Sequence, residues 1–198
     1  LYSLGIASVE KGAEEKYQLF RKVVLIDQYV VGVICVCTGV LWHDFISVWL
    51  GKEYLISDAL MYSVLLNFMW RVQVTPLAMF RDTNGLFVYV RRMVLINAGL
   101  NIVLSLAFGR VIGVPGVYIA TVIADILTDF WFDARLLYEK LFRRKGFWKY
   151  DLVAFGTCCA NLVVVYLLRR ALDGLGASLP MWVVKGAVAA LAYTLVYV

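Results

Sequence analysis

Six apolar runs, each of about the length a helix needs to cross a hydrocarbon layer, follow one another along the chain with most of the charge confined to the gaps between them. A helix rises about 1.5 Å per residue, so about 20 residues cross a layer roughly 30 Å thick. In that layer backbone N–H and C=O groups meet no water and must pair within the chain, and runs this long do so as helices rather than as barrel strands. Composition points the same way: 63% of the 198 residues are hydrophobic and 17% are charged, with a mean hydropathy of +0.80. The expected fold is therefore all-α, a polytopic bundle of transmembrane helices.

The expected spans cover residues 19–42, 54–79, 93–109, 114–139, 152–168 and 181 to the end, and residues 1–9 read as the tail of an earlier helix. The chain opens on Leu1 without a signal-peptide pattern and closes on Val198 inside an apolar stretch, so it reads as a fragment, with both ends cut. Cys35, Cys37, Cys158 and Cys159 all lie inside expected spans, where they behave as small apolar residues rather than as a metal or disulfide framework.

Basic residues set the expected orientation. Of the nineteen Lys and Arg, thirteen fall in three segments that alternating spans place on one side. Lys11, Lys16, Arg21 and Lys22 lie around the start of the first span, Arg81, Arg91 and Arg92 after the second, and Arg135, Lys140, Arg143, Arg144, Lys145 and Lys149 around the end of the fourth. Lys52, Arg110, Arg169 and Arg170 lie on the other side, while Arg71 and Lys185 fall within spans. The basic side is expected to be cytoplasmic, in a multi-pass protein of the cytoplasmic membrane. Topology accounts for the net charge of +5, which leaves no reason to expect a nucleic-acid partner.

Ionisable groups inside spans are costly and face a partner or a cavity. They are Asp27, Arg71, Asp125, Asp129 and Asp133. The last three recur every four residues, which puts them on one helical face. Arg71, Asp129 and Asp27 stand at similar depth, and two readings of Arg71 remain open. It pairs with Asp129 or Asp27 to neutralise a buried charge, or it faces an aqueous cavity, where its planar guanidinium suits a phosphate. Thr75 and Pro76 follow one turn away, and the proline favours a kink that lets the helix bend. Asn97 and Asn101 share a face of the third span, either bonding between helices or binding a sugar, with Ser105 one turn further on. Gly113, Pro115 and Gly116 form a tight outer turn, and His43 and Asp44 lie at an outer interface. A single histidine, no phosphate-binding Gly loop and no nucleophile elbow leave no catalytic constellation, so an enzyme is not expected.

Between Phe45 and Phe142 the order of motifs is informative: FISVWLGKEYL, FRDTNGLF, LINAGLNIVLSL, then VIGVPGVYIATVIAD leading through FW to LLYEKLF. In combination these resemble the bacterial polysaccharide flippases, of the O-antigen and capsule type, in the multidrug/oligosaccharidyl-lipid/polysaccharide exporter superfamily. The resemblance implies about 12 to 14 helices in two pseudo-symmetric lobes. Residues 1–140 would form the main part of the C-terminal lobe, 141–198 its additional C-terminal helices, and the six spans helices nine to fourteen. It implies a lipid-linked oligosaccharide on undecaprenyl pyrophosphate as cargo, moved to the outer leaflet for surface polysaccharide biosynthesis. The implied surroundings are membrane lipid, a polysaccharide polymerase and other assembly proteins. No cofactor is implied beyond coupling to H⁺ or Na⁺. The tenth and eleventh helices approach the central cavity in such folds, which favours Arg71, Asn97 and Asn101 as substrate-binding residues. Asp27, Asp125 and Asp129 become intramembrane charge partners, with Pro76 at a helix kink. The competing functions are a cation-coupled multidrug exporter of the same superfamily and a membrane enzyme of glycan assembly.

Overall fold

The computed structural model describes residues 2–172, 174 and 179–197, and every regular element among them is helical. A short α1 (Tyr2–Ile6) leads into α2 (Ala13–Trp49), and a 3₁₀ turn at Lys52–Tyr54 precedes α3 (Asp58–Thr83). Next come α4 (Phe87–Ile112), α5 (Val114–Leu127) and α6 (Asp129–Leu136), which ends in a π-helical turn at Leu137–Leu141. Two further helices, α7 (Trp148–Leu172) and α8 (Leu179–Tyr197), complete the described chain.

Four stretches are long and apolar enough to cross a membrane: Ala13–Trp49, Phe87–Ile112, Val114–Leu141 and Trp148–Leu172. They correspond to the first, third, fourth and fifth expected spans. The second expected span folds as α3, 26 residues long, but Asn67, Arg71, Gln73 and Thr75 lower its apolar character. The sixth corresponds to α8, whose apolar part, Pro180–Leu195, is shorter.

Helix boundaries differ from the hydrophobic boundaries for identifiable reasons. α2 begins before residue 19 because Glu14 and Glu15 favour the positive end of the helix dipole. α3 starts at Asp58 rather than at residue 54 because the Ser57 hydroxyl caps it, accepting from the Leu60 N–H at 3.3 Å. At its other end α3 runs past residue 79 to Thr83, carrying Arg81 into the bundle. The helix continues through Pro76, which is buried among its neighbours.

The core lies between α2, α3 and α7, closed from below by α6 and the π-helical turn. Phe20 of α2 meets Phe80 of α3 edge-on at 5.3 Å, and Phe142 and Tyr150 at 5.1 and 5.5 Å. Beside this aromatic layer the buried Gln28 amide donates to Gln73 at 2.7 Å, and the Tyr150 hydroxyl donates to the Gln73 carbonyl at 2.6 Å. Both bonds join polar groups of different helices inside the core. α8 lies along α2, where Gly32 leaves room for the Tyr193 phenol and Tyr29 bonds Thr194 at 3.0 Å.

Short connections make sequential helices antiparallel, and the basic segments consequently gather at one end. There Lys16 of α2 donates to Asn84 after α3 at 2.8 Å, while Arg144 pairs with Glu14 and lies 4.2 Å over the Tyr17 ring. Lys140 stands 6.0 Å over Tyr89 of α4. The opposite end holds the C-termini of α2 and α7 and the N-termini of α3 and α8.

α4 lies apart from the core and packs mainly on α5. Val90 is its one buried residue among those described, and Leu95, Ile102, Val103, Leu106 and Val111 are all exposed. Gly113 turns between the two helices with φ +77°, a left-handed conformation that suits glycine. Gly116 then lets the first turn of α5 approach the Phe108 backbone so closely that a Cβ there would collide with its carbonyl.

Candidate functional site

α3, α4 and α5 present one polar layer midway along otherwise apolar helices. Arg71 of α3 is 56% exposed, and its Nη1 lies 4.0 Å from Asp125 Oδ2 of α5, whose side chain is 7% exposed. From α4, Asn97 Nδ2 donates to Asp125 Oδ1 at 3.0 Å and to Thr128 Oγ1 at 2.8 Å. Asp125 is therefore oriented by Asn97 on one oxygen, while its other oxygen faces Arg71 with no hydrogen bond among the described residues. At 4.0 Å the guanidinium is attracted without being locked in a fork, which leaves its donors available to another oxyanion.

The partner of Arg71 is thus Asp125, and among the described residues neither Asp27 nor Asp129 pairs with it. Helix geometry supplies the reason. Residues two apart on a helix point about 200° apart, so Gln73, which turns to Gln28 on α2, leaves Arg71 directed to the α5 side. Asp27, next to Gln28, is half-buried on α2.

The aspartates spaced four apart do not act as one row. Thr128, at φ −128° and ψ −88°, interrupts the helical backbone between α5 and α6. Its hydroxyl donates back to the Ala124 carbonyl at 2.6 Å and accepts from Asn97. Asp125, above the break, belongs to Arg71 and Asn97. Below it Asp133, almost wholly buried, accepts from Arg81 Nη1 at 2.6 Å, and Arg81 Nε also donates to Asp82 at 2.8 Å. Asp129 stands between the two pairs, with Oδ1 buried and no hydrogen-bond partner among the described residues.

The remaining expected residues fall around this layer. Asn101, one turn from Asn97 on α4, accepts from the Ser105 hydroxyl at 3.0 Å. Thr75 donates to the Arg71 carbonyl at 2.7 Å, so the turn before Pro76 carries a side-chain bond beside the hydrogen bond that proline removes. Asn67, one turn from Arg71 toward the opposite end, donates to the Tyr118 carbonyl at 3.4 Å.

Sequence reasoning missed three arrangements. Arg81, expected among the charges beyond the second span, is carried by the helical run through Thr83 to Asp133. Lys185, expected within a span, reaches Asp44 of α2 at 2.6 Å. The interruption at Thr128 has no Gly or Pro to announce it. The four cysteines are free thiols, Cys35 and Cys158 buried. Comparison of the chain with protein-family models, with curated proteins and with solved structures finds no match in any of the three.

Proposed function

We propose that this chain is the C-terminal lobe of a bacterial membrane transporter that flips a lipid-linked oligosaccharide across the cytoplasmic membrane for surface polysaccharide assembly. In this reading all six apolar segments cross the bilayer, with the basic end in the cytoplasm. Arg71 holds the pyrophosphate of the undecaprenyl carrier, and Asn97 and Asn101 line the path of the glycan. Flipping makes and breaks no covalent bond, so the reading asks for positioning and charge rather than for a nucleophile.

The observation that carries the proposal is a guanidinium more than half exposed in the middle of a helix, beside α4 and α5, with one loosely held carboxylate as its counter-ion. An unpartnered arginine at that depth would be strongly unfavourable. Asp125 neutralises it in the empty state, and an arriving pyrophosphate can replace Asp125 with better fork geometry. The order of motifs from Phe45 to Phe142 supports the same reading.

The test is substitution of Arg71 in the full-length protein, with surface polysaccharide and protein level measured together. Arg71→Ala is expected to lower surface polysaccharide at least about tenfold at unchanged protein level, as for loss of a charge-assisted bond. Arg71→Lys keeps the charge without the fork and should fall between. Normal polysaccharide in both variants would remove Arg71 from the mechanism.

One observation favours cation-coupled drug export instead. Asp129 has a buried oxygen with no donor among the described residues and stands near the interruption at Thr128, where a proton or Na⁺ could balance it. Drug susceptibility that changes with Asp129→Asn while surface polysaccharide does not would favour that reading.

A further inference from the structure

At the end of the bundle away from the basic segments, one side chain of α7 ties α7 to α2 and α3. Arg169 Nη1 donates to Asp58 Oδ1 of α3 at 2.9 Å, and its Nη2 lies 2.6 Å from His43 Nδ1 of α2. The same guanidinium rests against Met61 Sδ at 3.4 Å and 6.0 Å over the Tyr62 ring. The other imidazole nitrogen, Nε2, lies 3.2 Å from the Ile56 carbonyl oxygen and 3.5 Å from Asp58 Oδ1.

These neighbours dictate the tautomer. A guanidinium can only donate, so Nδ1 must be bare to accept from it. Nε2 then carries the one ring hydrogen and donates to the Ile56 carbonyl. Neutral imidazole is the state that satisfies both contacts. A proton added to Nδ1 would set N–H against N–H at 2.6 Å and bring two positive charges together.

The other charged groups around His43 compensate little. Asp58 attracts both cations, but its side chain is 63% exposed and therefore screened by water. Asp44, next on α2, is engaged by Lys185 of α8 at 2.6 Å, and Arg170 of α7 turns to the Tyr166 hydroxyl at 2.8 Å.

We propose that His43 and Arg169 form a pH-operated latch, closed while the imidazole is neutral and released when acid protonates it, so that the last turns of α7 come away from α2. Histidine is the side chain that ordinarily changes charge between about pH 5 and 8. The bond needs the deprotonated ring, so it is present at high pH and lost as pH falls. On the orientation taken above, this end faces the exterior, where pH follows the medium, and the latch couples that pH to α7 whatever the transporter carries.

His43 is the single histidine among the 198 residues, which makes a direct test feasible. In full-length protein labelled with ¹⁵N-histidine in lipid bilayers, a His43→Gln control identifies its ring signals. They should show the Nε2–H tautomer in alkaline medium and a doubly protonated ring in acid, with α7 exchange compared between those two states of the ring. Backbone hydrogen exchange in the last two turns of α7, referenced to the intrinsic rate at each pH, should rise about tenfold between these conditions. His43→Gln keeps an acceptor for Arg169 but takes up no proton, so its exchange should stay constant, whereas His43→Lys should exchange fast under both. The Nδ1–H tautomer in alkaline medium, a ring that stays neutral until the protein unfolds in acid, or the same pH response in wild type and His43→Gln would each overturn the latch. Should the Gln variant fail to fold, a ring that charges while wild-type α7 exchange stays constant would overturn it as well.

Discussion

Arg81 and Asp133 illustrate what a charge needs in this environment. Their side chains are 14% and 2% exposed, and the 2.6 Å bond between them is reinforced by the Arg81 bond to Asp82. Removing one partner would strand the other in a low-dielectric layer. Arg81→Met is therefore expected to destabilise the protein by about 3–5 kcal/mol, and the Arg81→Met/Asp133→Leu double variant by much less. Thermal unfolding in detergent checks this, and a double variant as unstable as the single would show that packing rather than charge dominates. Asn97 is a milder case: Asn97→Leu removes one donor shared by Asp125 and Thr128 and should lower stability by about 1 kcal/mol. These pairings depend on more than position along the chain. Spacing along a helix gives depth, by which Arg71 is expected level with Asp129 and Asp27, whereas in the structure it stands against Asp125. Depth does not give the direction in which each helix is turned, and that direction decides that Arg71 meets Asp125 while Gln73 meets Gln28.

Among the elements, close approach at glycine separates two kinds of contact. A Cβ on Gly32 of α2 would meet the Tyr193 phenol of α8, the end of a side chain, whereas a Cβ on Gly116 would meet the Phe108 backbone. Gly32→Ala should therefore destabilise by about 1–3 kcal/mol and recover in large part with Tyr193→Leu. Gly116→Ala should show a similar loss that no trimming of the Phe108 side chain repairs. Equal rescue at both sites, measured by thermal unfolding, would contradict the distinction. Element type was legible for long stretches because uninterrupted apolar runs leave helix as the one answer in lipid. The ends were less legible, since caps such as Ser57 and dipole partners such as Glu14 act outside the apolar run. The interruption at Thr128 was not legible at all: it joins the bond to Ala124 with the bond from Asn97 on another helix, and neither leaves a composition signal.

For the whole molecule, the grouping of the basic segments at one end makes orientation testable. With Cys35, Cys37, Cys158 and Cys159 replaced by Ala, a single Cys at Lys145 is expected to react with an impermeant thiol reagent only after the membrane is opened. A single Cys at Arg110 should react in intact cells. Reaction of both from the same side would contradict the antiparallel alternation on which the six-span reading rests. The outlying position of α4 carries a further consequence for biosynthesis. A helix that packs chiefly on its successor has little to hold it when it first leaves the ribosome, because the earlier helices α2 and α3 offer it few contacts. Its own apolar length suffices for entry into lipid, so what waits for α5 is the docking of α4 beside the bundle, through the hairpin turned at Gly113. A chain released after Gly113 should therefore insert α4 but leave it undocked, and extension through Leu141 should dock it beside the bundle, which crosslinking between α4 and α5 or α6 would read.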